Sequence, residues 1–290
     1  MVTAAGVRDL LLLPLRLLGV PTSIDPTALL APVLSLGPVP EHIAFIMDGN
    51  RRFARSSSLS IQEGHLSGFQ TLKEVLEACL NLGVRCVTVY AFAIDNFKRD
   101  TTEVDALMQL AKTRLLELAG HGQVISRHSV RVRIIGRKHL LPPDVRAAIN
   151  KVEAMTKSHS GAILNICMPY ASRDEIAFAV RGSVAAHLRR SSSRTSVEIH
   201  PDDIEDHLML AHSPPLDLLV RTSGVNRLSD FMLWQANGDT RLHFTDCYWP
   251  DFGWRQLAPI LLDYQRHKVA DAMRRYIASF ATPPLRASSS

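Results

Sequence analysis

The chain has 290 residues, 46% of them hydrophobic, which is enough to bury one sizeable core; one large α/β domain is a simpler expectation than two. The 33 Lys and Arg against 28 Asp and Glu leave a formal charge of +5, a modest excess that suits anionic lipid, phosphate or nucleic acid without choosing among them. Cys79, Cys86, Cys167 and Cys247 are widely spaced, form no CxxC pair and sit in apolar runs, so they are expected to be reduced core residues.

In chain order, the first segment is LLLPLRLLGV, Leu11 to Val20, which carries Pro14 and Arg16 and stops at Pro21. It is too short and interrupted to span a bilayer, and Asp9 together with the broken apolar run argues against a secretory signal. A surface-lying apolar helix that touches membrane, or covers a groove in its own domain, is expected instead.

From residue 41 onward, short apolar runs alternate with helical patterns. The predicted elements are a strand HIAFIM (42–47), a helix 66–83, a strand CVTVYAF (86–92), a helix 101–120 with Thr-x-x-Asp near its start, and a strand VRVRIIG (130–136). There follow a helix 141–157, a strand AILNICM (162–168), helices 172–190 and 200–210, strands LDLLVRT (216–222) and RLHFTD (241–246), and a long helix 254–280. Near-continuous apolar strands alternating with helices imply a central, mainly parallel six-stranded sheet surrounded by helices, with ligands at the carboxyl ends of the strands. Arg189 to Ser196 reads as a polar surface loop and the end of the chain as disordered. The expected domains are an N-terminal apolar segment 1–38, a catalytic domain 39–282 and a tail 283–290.

Four of these strand ends carry chemistry. The first runs into Asp48, Gly49, Asn50, Arg51 and Arg52. A glycine lets backbone approach a phosphate, arginines supply forked donors, and the acid can hold a magnesium ion that bridges phosphate oxygens; the plain alternative is a capped turn with solvated arginines. The second, YAFAIDNFKR, offers Asn96 as a candidate to orient the Asp48 carboxylate and Arg99 as added positive charge, with Phe92 and Phe97 interleaved. After the strand 216–222, Arg221, Ser223, Arg227 and Ser229 come in quick succession around Gly224, an anion cradle suited to a diphosphate. The fourth end has Tyr170, Ser172 and Arg173, with Ser172 and Glu175 spaced as a capping box. His65 in EGHLSGF can reach a phosphate or a moving proton, or serve the helix start.

HIAFIMDGNRRFA, EGHLSGF, YAFAIDNFKR, LNICMPYASRDEI and LLVRTSGVNRLSDFMLWQ with WPDF resemble, in order and spacing, the motifs of the cis-prenyltransferases over about residues 39–256. DGNRR, TSGVNRLSDF and the apolar start are similar to the eukaryotic branch that makes long-chain polyprenyl (dehydrodolichyl) diphosphate for dolichol synthesis and protein glycosylation. The resemblance implies that fold, with an apolar tunnel for the growing chain, and Z-condensation of isopentenyl diphosphate onto farnesyl diphosphate. By the same resemblance Asp48 binds Mg²⁺ and is catalytic with Asn96. Gly49, Asn50, Arg51 and Arg52 lie around the allylic diphosphate with Asn96 and Arg99 in support, His65 and Phe92 are further substrate-binding residues, and Arg221, Arg227 and Ser229 hold isopentenyl diphosphate.

Departures from the family pattern are Ile61 for a frequent arginine, Ala93 for serine and Asp95 for glutamate; after Gln235 the segment offers only Asp239 as a further magnesium ligand. No Arg-x-Gly follows Trp254, so the resemblance implies a hetero-oligomer with a Nogo-B-receptor-like subunit that supplies it, in peripheral contact with the endoplasmic reticulum membrane and with the active site on the cytosolic side. A non-catalytic partner subunit of such a complex is the alternative. No GxxxxGKS/T loop, GxGxxG turn or RNA-type aromatic-basic motif is present, which argues against a nucleotide or nucleic-acid binder.

Overall fold

The structure is a computed structural model that describes residues 31–120, 123–190 and 198–281. The run Leu11 to Val20, the serine-rich residues 191–196 and the tail 283–290 lie outside the described residues. Six strands, β1 His42–Ile46, β2 Cys86–Tyr90, β3 Val130–Ile135, β4 Ala162–Cys167, β5 Leu218–Arg221 and β6 Arg241–Phe244, form one sheet in the order β3-β4-β2-β1-β5-β6. Every pairing is parallel, so the expected mainly parallel sheet is wholly so. Helices α1 Asn50–Ser56, α2 Ile61–Asn81, α3 Thr101–Leu118, α4 Val124–Arg127, α5 Pro143–Met155, α6 Ser172–Arg190, α7 Pro201–Glu205 and α8 Trp254–Ala281 complete the described elements. Pro40–Gly253 is one compact unit; residues 31–39 and α8 belong to another, in which Gln265 Nε2 donates to Leu34 O (2.6 Å). Among the described residues no helix is long and apolar enough to cross a membrane.

The order of the strands positions the site. β1 lies between β2 and β5, with Phe45 beside Val89 and Ile46 beside Arg221, so the turns that leave β1, β2 and β5 emerge next to one another. Ile43, Phe45, Leu164, Leu218 and Leu219 are wholly buried, which fixes this register through the apolar effect.

Several element ends differ from the sequence expectation for local reasons. The residues after β1 form a helix, not an open turn: Gly49, at φ 108°, reverses the chain and its carbonyl accepts Phe53 N–H at 2.8 Å. α1 lies so close on α2 that a Cβ at Gly68 would sit 2.1 Å from Asn50 Oδ1. α2 begins at Ile61 because Ser60 and Glu63 form a reciprocal capping box, Ser60 N donating to Glu63 Oε2 (2.8 Å) and Glu63 N to Ser60 Oγ (3.2 Å). The cap of α3 is Asp100, which accepts Thr102 N–H, and the expected helix 200–210 is only the short α7. Arg189 and Arg190 belong to α6 and not to a loop. Cys79, Cys86 and Cys167 are free and buried, whereas Cys247 is only half-buried.

The strands also carry a polar ladder that their apolar character conceals. His42 Nδ1 lies 2.8 Å from Pro214 O and Nε2 2.7 Å from Thr88 Oγ1, while Asn165 Nδ2 donates to Thr88 Oγ1 (3.0 Å) and Ser213 Oγ (2.9 Å). A neutral imidazole with its proton on Nδ1 is consistent with every bond of this chain, while Asn165 Oδ1 is buried without a protein partner. Burial pushes the His42 pKa down to about 4, against the opposing pull of Pro214 O and Asp217. Because the folded pKa lies below the unfolded value of 6.5, the stabilisation is complete above pH 6.5 and is lost as pH falls towards 4. Urea midpoints are therefore expected to fall across this window, with His42 contributing on the order of 3 kcal/mol, and His42→Gln should remove that share of the slope.

Candidate active site

A cavity of about 680 Å³ opens where β1, β2 and β5 end. Asp48, Gly49, Asn50, Arg51, Arg52, His65, Phe92, Asn96, Arg99, Arg221, Arg227 and Ser229 all line it, so the strand ends that the sequence singled out separately meet in one place. Phe69 and Leu72 from α2 and Leu107, Leu110 and Ala111 from α3 give it an apolar wall, with Arg55 and Arg114 also in the lining.

The polar mouth is organised around Asp48 and Arg221. Asp48 N donates to Thr222 Oγ1 (3.0 Å) and Trp249 N donates to Asp48 O (2.9 Å), which hold the turn. Arg221, buried at 4% exposure, donates through Nη2 to Asp48 Oδ2 (2.8 Å) and through Nη1 to Ser229 Oγ (2.6 Å) and Arg227 O (2.5 Å). Arg52 lies 3.3 Å from the same Asp48 oxygen, donates to Ser223 O (3.1 Å) and Ser223 Oγ, and stands over the Tyr248 ring. Burial raises the Asp48 pKa, but the Arg221 hydrogen bond and the charges of Arg221 and Arg52 outweigh it and hold the carboxyl below its ordinary range.

On the opposite side Glu103 accepts from Arg99 (2.9 Å) and lies 3.5 Å from Arg51. The sequence reading passed over Glu103, although its place four residues after Arg99 is ion-pair spacing. Thr222, which fastens β5 to the Asp48 turn, was likewise passed over, and no local pattern marks it. Burial, with Arg99 and Arg51 nearby, pushes the His65 pKa down to about 4 despite Glu103, and its Nε2 is buried without a protein partner. Asn50 Oδ1 and Arg221 Nε are buried and unpartnered too.

Asn96 lines the cavity, yet among the described residues no hydrogen bond joins it to Asp48; its Oδ1 accepts Ala93 N–H (3.1 Å) within its own turn. Phe92 is buried, edge-on to Phe97 at 4.9 Å. Of the departing positions, Ala93 lines the cavity, Asp95 pairs with Lys98 at the surface (2.7 Å), and Ile61 is exposed at the start of α2. The fourth strand end gives this wall only Met168, and its polar residues Tyr170, Ser172 and Arg173 are not in it. Ser172 is fully buried as the first residue of α6, and the expected capping box does not form, because Glu175 turns to Tyr170, Leu210 and Gln235 instead.

Among the described residues no group of three or more His, Cys, Asp or Glu side chains could cage a metal. Asp48 is the carboxylate on the cavity wall, is held ionised, and uses Oδ2 for its arginines, which fits a hard cation shared between one carboxylate and the oxygens of a ligand.

Residues 46–270 match the family model described as putative undecaprenyl diphosphate synthase. The chain is 47% identical to a dehydrodolichyl diphosphate synthase complex subunit of Schizosaccharomyces pombe, covering 79% of this chain and 86% of that one. It is 42% identical to the Mus musculus dehydrodolichyl diphosphate synthase complex subunit, over 82% of this chain and 70% of the relative. The crystal structure of lavandulyl diphosphate synthase from Lavandula x intermedia in complex with dimethylallyl diphosphate superposes with a TM-score of 0.70 at 31% identity, covering 78% and 95% of the two chains. The chain belongs to the undecaprenyl diphosphate synthase family, the cis-prenyltransferases.

Removal of the cation beside Asp48 leaves burial unopposed by its strongest partner. Arg221→Met is therefore expected to move the Asp48 pKa upward, towards or above the ordinary carboxylate value, and a carbon-13 NMR titration of the Asp48 carboxyl reads it.

Proposed function

We propose that this chain is the catalytic subunit of a polyprenyl diphosphate synthase that condenses isopentenyl diphosphate onto farnesyl diphosphate with Z geometry, making dehydrodolichyl diphosphate for dolichol synthesis. The observation that carries this reading is the pairing, in one cavity, of a cationic mouth built from three adjacent strand ends with an apolar wall from α2 and α3. Two diphosphates need the first, and a growing isoprenoid needs the second.

In this reading Arg51, Arg52 and Arg99, with the backbone at Gly49 and Asn50, bind the allylic diphosphate. Arg221, Arg227 and Ser229 bind isopentenyl diphosphate, so Arg221 touches both the acid and the second substrate. Asp48 would hold Mg²⁺ together with diphosphate oxygens; when bound, the ion supplies positive charge that favours departure of the allylic diphosphate. The allylic C–O bond breaks, the isopentenyl double bond forms the new C–C bond, and a proton leaves to complete the Z alkene. His65, neutral because of its burial, offers an unpartnered Nε2 to a phosphate oxygen or to that proton. Asn96 keeps its Nδ2 for a ligand oxygen, since Oδ1 is committed to Ala93. Phe92 and the apolar wall exclude water from the cationic intermediate.

The reading extends to a hetero-oligomer with a Nogo-B-receptor-like subunit that supplies Arg-x-Gly, seated on the cytosolic face of the endoplasmic reticulum. The complex-subunit names of the relatives support this, as does the edge strand β6, where Leu242 and Phe244 are exposed. Residues 1–38 would touch the membrane or cover the tunnel.

With farnesyl diphosphate, labelled isopentenyl diphosphate and Mg²⁺, Asp48→Asn is expected to cut incorporation by ~100-fold or more. Undiminished incorporation by this variant in the complex would assign the chemistry to another subunit, the non-catalytic alternative. Co-expression with the partner should raise turnover of the wild-type chain by ~10-fold or more, and equal turnover without it removes the heteromer.

A further inference from the structure

Three successive features of the segment after β5 demand an explanation. Ser229, Asp230 and Met232 have φ of 50°, 61° and 47°, in the left-handed region that L side chains avoid. Ser229 is nonetheless the hydroxyl that Arg221 holds at 2.6 Å. Such a turn persists only if its surroundings over-determine it.

Those surroundings are the first turn of α6. Ser172 N donates to Asp230 O (2.7 Å), Leu233 N donates to Ser172 Oγ (2.9 Å), and Arg173 donates to both Asp230 carboxylate oxygens through N (2.9 Å) and Nε (3.0 Å). Beneath them lies Glu175, wholly buried, with no cation beside it among its hydrogen-bond partners. Its Oε2 accepts Tyr170 O–H (2.5 Å) and Gln235 Nε2 (3.1 Å), and its Oε1 accepts Leu210 N–H (3.1 Å). One carboxyl group thus joins the residues after β4, the approach to β5 and the far end of the strained segment. Tyr170 in turn stands edge-on to Phe231, on which Tyr90 is stacked at 4.6 Å.

We propose that Glu175 is a positioning residue for the diphosphate cradle of Arg221 and Ser229: by closing the Tyr170, Leu210 and Gln235 bonds it locks the left-handed Ser229–Asp230 turn and thereby the orientation of the Ser229 hydroxyl. The inference rests on the proposed use of that cradle for isopentenyl diphosphate. Glu175 lies outside the cavity wall and acts through the loop, not on the ligand.

The test uses the full chain with its partner subunit. Glu175→Gln and Glu175→Ala should raise the KM for isopentenyl diphosphate by ~10-fold or more while the KM for farnesyl diphosphate stays within about 2-fold. The exchange Glu175→Gln with Gln235→Glu restores an amide and carboxyl pair and should recover most of the lost affinity. Amide exchange at Leu210, Leu233 and Ser172 should quicken in the single variants. Equal rises in both KM values, or none, overturn the positioning role; unchanged amide exchange overturns the clamp. Absence of prenyl product from the wild-type complex would sink the parent reading instead, and the exchange rates still decide whether Glu175 clamps the turn.

Discussion

A guanidinium buried at the end of β5 is the constraint on which the site depends. An isolated charge at 4% exposure is expensive, and Arg221 is compensated by three groups from two segments: Asp48 after β1, and Arg227 O and Ser229 Oγ after β5. The parallel register makes this possible, because Ile46 pairs with Arg221 and delivers Asp48 one strand away. Satisfying one buried charge therefore fixes the placement of the turn after β1 relative to the loop after β5. Arg221 Nε is buried without a protein partner.

Around this pair the mouth is over-supplied with positive charge. Arg51, Arg52, Arg99 and Arg227 join Arg221, against Asp48 and the bridging Glu103. Folding alone would neutralise such a cluster, and an unneutralised cluster of arginines on a cavity wall has the chemistry of an anion site. The same excess, with burial, keeps His65 neutral. A protonated histidine would add one more cation where several already repel, so neutrality is the electrostatically consistent state.

Much of this was legible in the sequence because the signals were local. Most of the strands are readable as apolar runs, and a strand that ends in Asp-Gly-Asn-Arg-Arg or Arg-Thr-Ser-Gly points to a phosphate-handling turn once several such ends are read together. What stayed hidden was relational. Asn96 is expected to orient Asp48, yet the hydrogen bond that its side chain makes lies within its own turn, where Oδ1 accepts Ala93 N–H. Ser172 and Glu175 have capping-box spacing, yet buried donors from Tyr170, Leu210 and Gln235 outbid the exposed helix terminus. Thr222 and the polar ladder of His42, Thr88 and Asn165 sit in strands that read as apolar, because periodicity does not tell which side chain meets which.

The strand ends also divide their labour in a way set by sheet order. β2, β1 and β5 are adjacent, and their ends make the cavity; β4 lies one strand further out, beside β2 and β3. Its end, with Tyr170, Ser172 and Arg173, has the same polar character, yet these residues are absent from the cavity wall. From that outer position they reach the loop after β5 and hold its left-handed residues in place. Similar sequence grammar thus lines the cavity at three strand ends and supports a loop at a fourth. The difference is one of place in the strand order, not of residue type.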